Sequence, residues 1–166
     1  MKKIFLVSIV VLLVLSTSFF AVSAPTASAK ELKILEFDTM VGNPPAFTGA
    51  TNPIRGINGG GVPWTVGSAS GELTVSGHLE ITVQGLVLAA TGSNPVASFR
   101  AIVSCLKSDG SPENLLTDAF PATTGPASSG GGNAKIETNV SLPQPCIAPI
   151  IFVTSPGGSW FAATGF

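Results

Sequence analysis

A glycine-rich segment in the middle of the chain, from Arg55 to Trp64, holds the densest set of residues that could bind a ligand. Successive glycines can turn their backbone N–H groups toward an anion, an arginine adds a fork of donors, and a tryptophan adds a stacking surface. The glycines lack the spacing of a phosphate-binding loop or a dinucleotide-binding fingerprint. The alternative interpretation is structural, with glycines forming sharp turns and apolar neighbours holding the segment to the core. The ligand-binding candidates are Arg55, Asn58, Gly59, Gly60, Gly61 and Trp64.

Two acidic residues, Glu36 and Asp38, are spaced two apart on a predicted strand. Side chains at that spacing share one face and lie about 7 Å apart. Two carboxylates so placed could act as acid and base on a glycosidic bond, or supply half of a calcium site. The alternative is a solvated strand face, because Leu35 and Phe37 point the other way. The sequence predicts no metal site and no cofactor, since the only histidine, His78, falls in a predicted hairpin turn.

The two cysteines, Cys105 and Cys146, form an even pair in a chain that carries an export signal. Export takes a protein to a compartment that does not keep thiols reduced, so the pair predicts a disulfide. A redox-active pair would more usually be Cys-x-x-Cys, and a metal site would require further ligands near each cysteine. We therefore expect a structural bond that closes a segment of about 40 residues.

The export signal occupies residues 1–29. It has two lysines after the first Met, an apolar run from Ile4 to Leu15, and small residues ending at Ala29. This pattern predicts cleavage after Ala29 and a secreted protein, which is periplasmic if the cell has an outer membrane. The alternative is an uncleaved membrane anchor, because Ile4 to Ala24 could just reach the roughly 20 residues that a bilayer requires.

The chain carries few charges: Asp, Glu, Lys and Arg make up 10% of its 166 residues, against roughly a quarter in an average soluble domain. Without the predicted leader, six basic and nine acidic residues remain, a net charge of −3. That balance gives no basic patch and so excludes a nucleic-acid partner. No other apolar run reaches the length of a membrane span, so none is expected after cleavage. The length predicts a single domain over residues 30–166.

The mature chain alternates apolar and polar residues with a period of two, which is typical of half-buried strands. Ala134 to Leu142 is the clearest case, and Leu73 to Val83 holds a second apolar register. In this second stretch we expect a three-residue hairpin loop, Ser76-Gly77-His78, that places Val75 opposite Leu79; one continuous strand is the alternative. Further strands are predicted at Leu32–Asp38, Leu86–Ala90, Ala97–Leu106, Leu115–Phe120, Ile147–Thr154 and Trp160–Gly165.

Short strands separated by Gly/Pro turns predict an all-β fold: an antiparallel β-sandwich or small barrel of about eight strands, with one disulfide and a cleaved signal helix before it. The turn between the last two strands would place Phe161 across from Val153. Two stretches, 41–67 and 121–133, are rich in Gly, Pro or Ser and are not predicted as strands. A connection as long as the first is normally either functional or mobile.

Two stretches around the cysteines, Asn94-Pro95-Val96-Ala97-Ser98-Phe99-Arg100-Ala101-Ile102-Val103-Ser104-Cys105 and Leu142-Pro143-Gln144-Pro145-Cys146-Ile147-Ala148-Pro149, resemble small exported bacterial proteins of unassigned function. The resemblance covers most of the mature chain and implies a secreted domain with the predicted disulfide. It supplies no activity and no functional residue.

These observations predict a secreted, non-catalytic β-sandwich that is structural, adhesive or ligand-binding at the cell envelope or outside the cell. An envelope glycan or another protein surface is the expected kind of partner. The alternative function is a secreted carbohydrate-active hydrolase that uses Glu36 and Asp38.

Overall fold

The computed structural model describes residues 31–165, so the predicted leader and its cleavage site lie outside the described residues. Within these residues the structure has fourteen strands, more than the roughly eight predicted, because six of them have only two residues and the other eight have four or more. Two single 3-10 turns lie at Pro45–Phe47 and Ala127–Ser129. The strands are β1 Lys33–Phe37, β2 Val41–Gly42, β3 Trp64–Thr65, β4 Ser68–Thr74, β5 His78–Gln84, β6 Val87–Leu88, β7 Ser93–Asn94, β8 Ser98–Leu106, β9 Pro112–Leu116, β10 Phe120–Pro121, β11 Gly125–Pro126, β12 Ala134–Asn139, β13 Ile147–Thr154 and β14 Trp160–Ala163.

Two antiparallel sheets form the sandwich. The four-stranded sheet has the order β1-β4-β5-β12, and the six-stranded sheet has the order β10-β8-β13-β14-β2, with β9 also paired to β8. The period-two pattern holds within them: in β12, Ile136 is buried while Lys135 and Glu137 are exposed. The all-β prediction is confirmed, and of its two architectures the sandwich is the one formed.

The main hydrophobic core lies between the two sheets. Each sheet contributes the side chains on its inner face, because alternate residues of a strand point to opposite faces. The four-stranded sheet supplies Leu73, Leu79, Ile81 and Ile136, and the six-stranded sheet supplies Phe99, Val103, Ile151 and Val153. All eight are fully buried or nearly so.

A second hydrophobic cluster covers the outer face of the six-stranded sheet. Ile102 and Phe152 point outward from β8 and β13 and contact Ile57, which comes from the long glycine-rich stretch. Phe47 and Ile54 of the same stretch pack against this cluster. The stretch from 43 to 63 therefore lies on the outer face of this sheet, and we call it the cover. Its apolar residues hold it there by packing against the cluster.

The β4–β5 hairpin forms, but its predicted register is wrong. Leu73 pairs with Leu79, so Val75 lies in the turn with 45% of its surface exposed. The turn closes one residue earlier than predicted because the His78 N–H donates to Thr74 Oγ1 at 3.1 Å and the Gly77 N–H donates to the Thr74 carbonyl at 3.1 Å. These two bonds place both buried leucines opposite each other.

The pairing of the last two strands also differs by one residue from the prediction. Val153 pairs with Ala162 instead of Phe161, and the register shifts between Val153 and Thr154 so that Thr154 lies opposite Trp160. Such an irregularity inserts an extra residue into one strand and cannot be read from a regular alternation.

Several predicted strand limits are corrected as well. The predicted strand Leu115–Phe120 is two strands, β9 and β10, since both pair with different parts of β8. The stretches 41–67 and 121–133 are not free of strands, because β2, β3 and β11 fall within them and β10 ends at the first residue of the second stretch. A two-residue strand is too short to have a detectable period.

A disulfide joins Cys105 and Cys146, as predicted, with their Cα atoms 4.9 Å apart. Cys105 lies in β8, and Cys146 directly precedes β13, the strand that pairs with β8. The bond thus ties together two neighbouring strands at the centre of the six-stranded sheet. Within residues 31–165 no helix has the length and hydrophobicity that crossing a bilayer demands.

Candidate ligand-binding surface

Arg55 anchors the glycine-rich cover to the six-stranded sheet. Its Nη1 donates to the Ser104 carbonyl and its Nη2 to the Ala148 carbonyl, both at 2.7 Å. The Arg55 carbonyl accepts a bond from Asn114 Nδ2 at 3.0 Å, and partial burial lowers the pKa of the guanidinium. The predicted fork of donors is present, and two of its N–H groups are directed at backbone carbonyls of this chain.

Two glycines of the candidate site, Gly59 and Gly60, lie so close to other parts of the chain that a larger residue would not fit. A Cβ on Gly59 would lie 1.9 Å from the Phe47 carbonyl oxygen, and one on Gly60 would lie 3.0 Å from the ring of Phe161. The Gly59 N–H donates to Gly49 at 3.0 Å and the Gly60 N–H to Trp160 at 2.8 Å. Two of the N–H groups predicted to face an anion are therefore bonded within the chain.

Asn58 and Gly61 are the exposed members of the predicted set. The Asn58 carbonyl accepts a hydrogen bond from the Trp160 N–H at 3.0 Å, which ties this residue to β14. A Cβ on Gly61 would meet nothing within 4 Å. The structure thus places Arg55, Asn58 and the three glycines on the cover, whereas Trp64 lies in β3 just beyond it.

Trp64 is buried, and one face of its ring is stacked on Phe161 with the ring centroids 3.8 Å apart and the planes 18° apart. Phe161 also meets Phe99 edge to face at 6.0 Å. Aromatic pairs of this kind add about 0.5–1.5 kcal/mol beyond their buried area. Trp64 therefore links the long stretch to the main core, which agrees with the structural interpretation of this residue.

Trp64 also lines an open groove of about 730 Å³, which we call the Trp64 groove. Twelve described residues line it, and none of them is charged. The lining includes Met40, Val41, Pro44, Pro63, Trp64 and Ala90. Ligand pockets typically measure about 300–1,000 Å³ and have mostly apolar walls with a few polar groups. The groove has the size and lining of a small-molecule site.

The sequence indicated Trp64 but not the rest of this groove. Ala89 and Ala90 follow β6, which reaches Trp64 because β6 pairs with β3. Pairings between two-residue strands leave no periodic signal, and a pair of alanines has no distinctive chemistry. Pro44 and Pro63 lie at the two ends of the cover. Because proline restricts the backbone, these two residues indicate from the sequence alone that both ends are rigid.

Asn43 is the buried polar residue of the groove lining. Its Nδ2 donates to the Gly60 carbonyl at 3.0 Å, which fixes the orientation of the amide. Its Oδ1 is buried and has no hydrogen-bond partner among the described residues. A buried acceptor left without a donor costs free energy. Because Asn43 is completely buried, this oxygen is not exposed to the groove.

Glu36 lies on the outer face of the four-stranded sheet, but Asp38 is not on the same strand as predicted, because β1 ends at Phe37. Both residues nevertheless line a shallow cavity of about 660 Å³. The strand register places four glutamates in one row across all four strands, with Glu36 opposite Glu72, Glu72 opposite Glu80, and Glu80 opposite Glu137. Like charges directly opposite one another destabilise a sheet. The row therefore requires compensating cations.

Two lysines supply that compensation. Lys33 donates to Glu36 at 2.7 Å and also pairs with Glu72, and these bonds raise the pKa of its amine. Lys135 lies 2.8 Å from Glu137 and 3.1 Å from Glu80, and its pKa is raised by the same kind of bond. The hydrogen bond from Lys135 lowers the pKa of Glu137.

The row of glutamates was only partly predictable. Glu72 and Glu80 were on the polar face of the predicted hairpin, but the predicted register did not place them opposite each other. Glu137 joins them through the β5–β12 pairing, which connects parts of the chain that are far apart in sequence. Within residues 31–165, no group of three or more His, Cys, Asp or Glu side chains is arranged to hold a metal ion.

Comparison of the chain with protein-family models, with curated proteins and with solved structures found no match. The resemblance to small exported bacterial proteins therefore stays a prediction.

Proposed function

We propose that the chain is an exported, non-catalytic β-sandwich that binds a ligand outside the cell, and that the Trp64 groove is its binding site. The observation that carries the proposal is the groove itself, an uncharged depression of about 730 Å³ with a tryptophan in its wall. Apolar clefts of this size are where small ligands usually bind, because they remove most of the ligand surface from water.

Export is supported by two independent features. Disulfides such as Cys105–Cys146 form and persist mainly in oxidising compartments. Residues 1–29 have the sequence pattern of a leader that is cleaved during export. The exported protein should therefore begin at Lys30. Mass determination of the protein recovered from the medium or periplasm checks this, and a mass that retains residues 1–29 would contradict cleavage.

Binding in the groove is tested with N-phenyl-1-naphthylamine, a neutral apolar dye that fluoresces when removed from water. We expect saturable binding of one dye per exported chain. Ala90 is exposed and lines the groove, so Ala90→Trp should fill part of the groove and weaken binding at least fivefold.

The matched control is Ala50→Trp, because Ala50 is also an exposed alanine and does not line the groove. This variant should bind the dye as the unmodified protein does. Absence of saturable binding, or equal weakening by both substitutions, would overturn the assignment of the groove.

A second candidate function is carbohydrate hydrolysis by Glu36 and Asp38. The observation that favours it is that both carboxylates line one cavity of about 660 Å³, to which Glu72 and Glu80 also contribute. Paired carboxylates on either side of a sugar can serve as acid and as base or nucleophile.

The hydrolase candidate is tested on a panel of nitrophenyl glycosides and polysaccharides. The double variant Glu36→Gln, Asp38→Asn should abolish any turnover found, whereas Glu113→Gln, on β9 of the other sheet, should leave it unchanged. Full turnover by the double variant, or no turnover of any substrate by the unmodified protein, would exclude this function.

A further inference from the structure

We infer that Asn139 is a modification site that carries an N-linked glycan on the exported protein. Asn139-Val140-Ser141 is the acceptor pattern for this modification, an asparagine followed by any residue except proline and then by serine or threonine. No other asparagine in the sequence is followed by Ser or Thr at that distance. The inference goes beyond ligand binding in the Trp64 groove. It rests on the proposed export, because glycans of this kind are added outside the cytoplasm.

The structure places Asn139 at the end of a strand and on the surface. Asn139 is the last residue of β12, which ends three residues before the alternating pattern does at Leu142. Both Asn139 and Ser141 are exposed. The Asn139 side chain makes no hydrogen bond with the described residues, so its Nδ2 is available for modification.

The surroundings of Asn139 leave room for a sugar. Ile136 of the same strand is buried between the sheets, so by alternation the side chains of Glu137 and Asn139 point to the outer face of the four-stranded sheet. Asn139 and Ser141 also line a shallow open groove of about 390 Å³. A glycan on Asn139 can therefore extend into solvent without displacing any residue of the core.

Glu137 provides a second recognition element. Bacterial transferases that attach N-linked glycans select an acidic residue two positions before the acceptor asparagine, and Glu137 occupies that position. The chain thus contains the longer acceptor pattern Glu137-Thr138-Asn139-Val140-Ser141. This pattern agrees with the resemblance to exported bacterial proteins, and it is more restrictive than the three-residue pattern alone.

The modification is a substitution at the first sugar carbon of an oligosaccharide that is linked to a lipid diphosphate. Nδ2 of Asn139 forms a bond to that carbon, and the bond between the carbon and the phosphate oxygen breaks. The lipid diphosphate leaves with the electron pair, and the amide nitrogen loses one proton. The exporting cell supplies both the lipid-linked donor and the transferase, and no oxidant or reductant is consumed.

A glycan at this position would also protect an exposed edge of the fold. β12 is an edge strand of the four-stranded sheet, and such an edge is a template for pairing with another chain. Charged residues, which often protect edges, make up only 10% of this chain. A bulky and solubilising glycan at Asn139 supplies the protection in another way.

The inference is tested by the mass of the protein that its own cells export. We expect the mass of the polypeptide from Lys30 plus the mass of one oligosaccharide. Lys135 is the last lysine or arginine of the chain, so after reduction trypsin releases a peptide that begins at Ile136, and tandem mass spectrometry should locate the sugar on Asn139. An exported protein with only the polypeptide mass from Lys30 would overturn the inference while leaving export and the groove unaffected. A polypeptide mass that retains residues 1–29 and carries no sugar would contradict cleavage and the inference together.

Variants of the acceptor pattern locate the site. Asn139→Gln and Ser141→Ala should each be exported without the glycan, whereas Ser141→Thr should keep it, because threonine also fits the pattern. Asn114→Gln is the matched control and should keep the glycan. Asn114 is also exposed and lines the same groove, but it is not followed by Ser or Thr at the required distance. A glycan that remains in Asn139→Gln, or that is lost in Asn114→Gln, would contradict the assignment.

A further variant tests the acidic residue of the pattern. Glu137→Gln keeps the side-chain volume and removes the charge, so it should lower the fraction of glycosylated protein at least fivefold. An unchanged fraction would overturn the role of Glu137 in recognition.

Discussion

Gly132 and Gly110 share a left-handed backbone conformation but lie in different surroundings. Their φ values are +79° and +80°, which favour glycine at both positions. A Cβ on Gly132 would lie 2.3 Å from the Leu86 carbonyl oxygen, whereas a Cβ on Gly110 would meet nothing within 4 Å. Comparing substitutions at the two positions therefore distinguishes the free-energy cost of the left-handed backbone from the cost of the steric clash with Leu86.

We expect Gly110→Ala to lower the free energy of unfolding by about 1–2 kcal/mol, the cost of a left-handed conformation for a residue with a Cβ. Gly132→Ala should cost roughly 1–3 kcal/mol more, because Leu86 must also move. Urea denaturation of both variants measures the difference. Equal losses would mean that the approach of the Leu86 backbone is not a constraint.

At the same scale, the sequence could identify residues but not their partners. Arg55 and Trp64 were recognised from their types and their glycine-rich context. The partners of Arg55, the Ser104 and Ala148 carbonyls, lie 49 and 93 positions further along the chain. A single sequence does not report which distant backbone atoms come close, so whether a donor faces the protein or a ligand was not predictable from composition.

At the scale of elements, the cover from 43 to 63 is held to the six-stranded sheet by apolar contacts and by Arg55. Ile57 contributes to the cluster on the sheet, and Ile54 and Ile57 exchange two backbone hydrogen bonds of 3.1 and 2.9 Å. Arg55 lies within this turn and bonds to both β8 and β13. Its guanidinium thus fixes the turn to two strands at once.

Replacing Arg55 by Met should loosen the cover without unfolding the sandwich. We expect amide hydrogen exchange at Ile54 and Ile57 to rise at least tenfold, with a loss of about 1–3 kcal/mol in the free energy of unfolding, since bonds from a charged donor are removed. Lys107→Met is the control, because Lys107 belongs to the turn between β8 and β9 and not to the cover. Unchanged exchange at both isoleucines would show that apolar contacts alone hold the cover.

Secondary-structure elements could be predicted from apolar–polar alternation only where the strands are long. The strand β12 was located because its alternating residues give a clear period. The strand β13 does not alternate, but it has its predicted bounds because it is an apolar stretch that ends at the Pro/Gly turn after Thr154. The register of β4 with β5 depended on two hydrogen bonds that Thr74 accepts in the turn, one at its hydroxyl and one at its carbonyl, which a period cannot indicate. The Trp64 groove depended on β3 and β6, whose two residues each carry no period at all.

On the scale of the whole molecule, the core and the disulfide stabilise the same pair of strands. The inter-sheet core buries Val103 of β8 and Ile151 of β13 completely, and these residues are opposite each other in the register. The Cys105–Cys146 bond joins the same two strands. Because packing alone already pairs them, the bond should act mainly on the unfolded chain, whose freedom it restricts.

The double variant Cys105→Ala, Cys146→Ala should therefore fold to the same sandwich with lower stability. A bond across 41 positions is worth about 4 kcal/mol in the chain-entropy model, and a domain of this size has roughly 7–20 kcal/mol in total. We expect the midpoint of thermal unfolding to fall by roughly 10–15 °C. The unmodified protein in reductant should show the same fall, and reductant should not affect the variant. Equal midpoints for the unmodified protein with and without reductant would mean that the bond contributes no stability, and two free thiols in the denatured, unreduced protein would mean that it does not form.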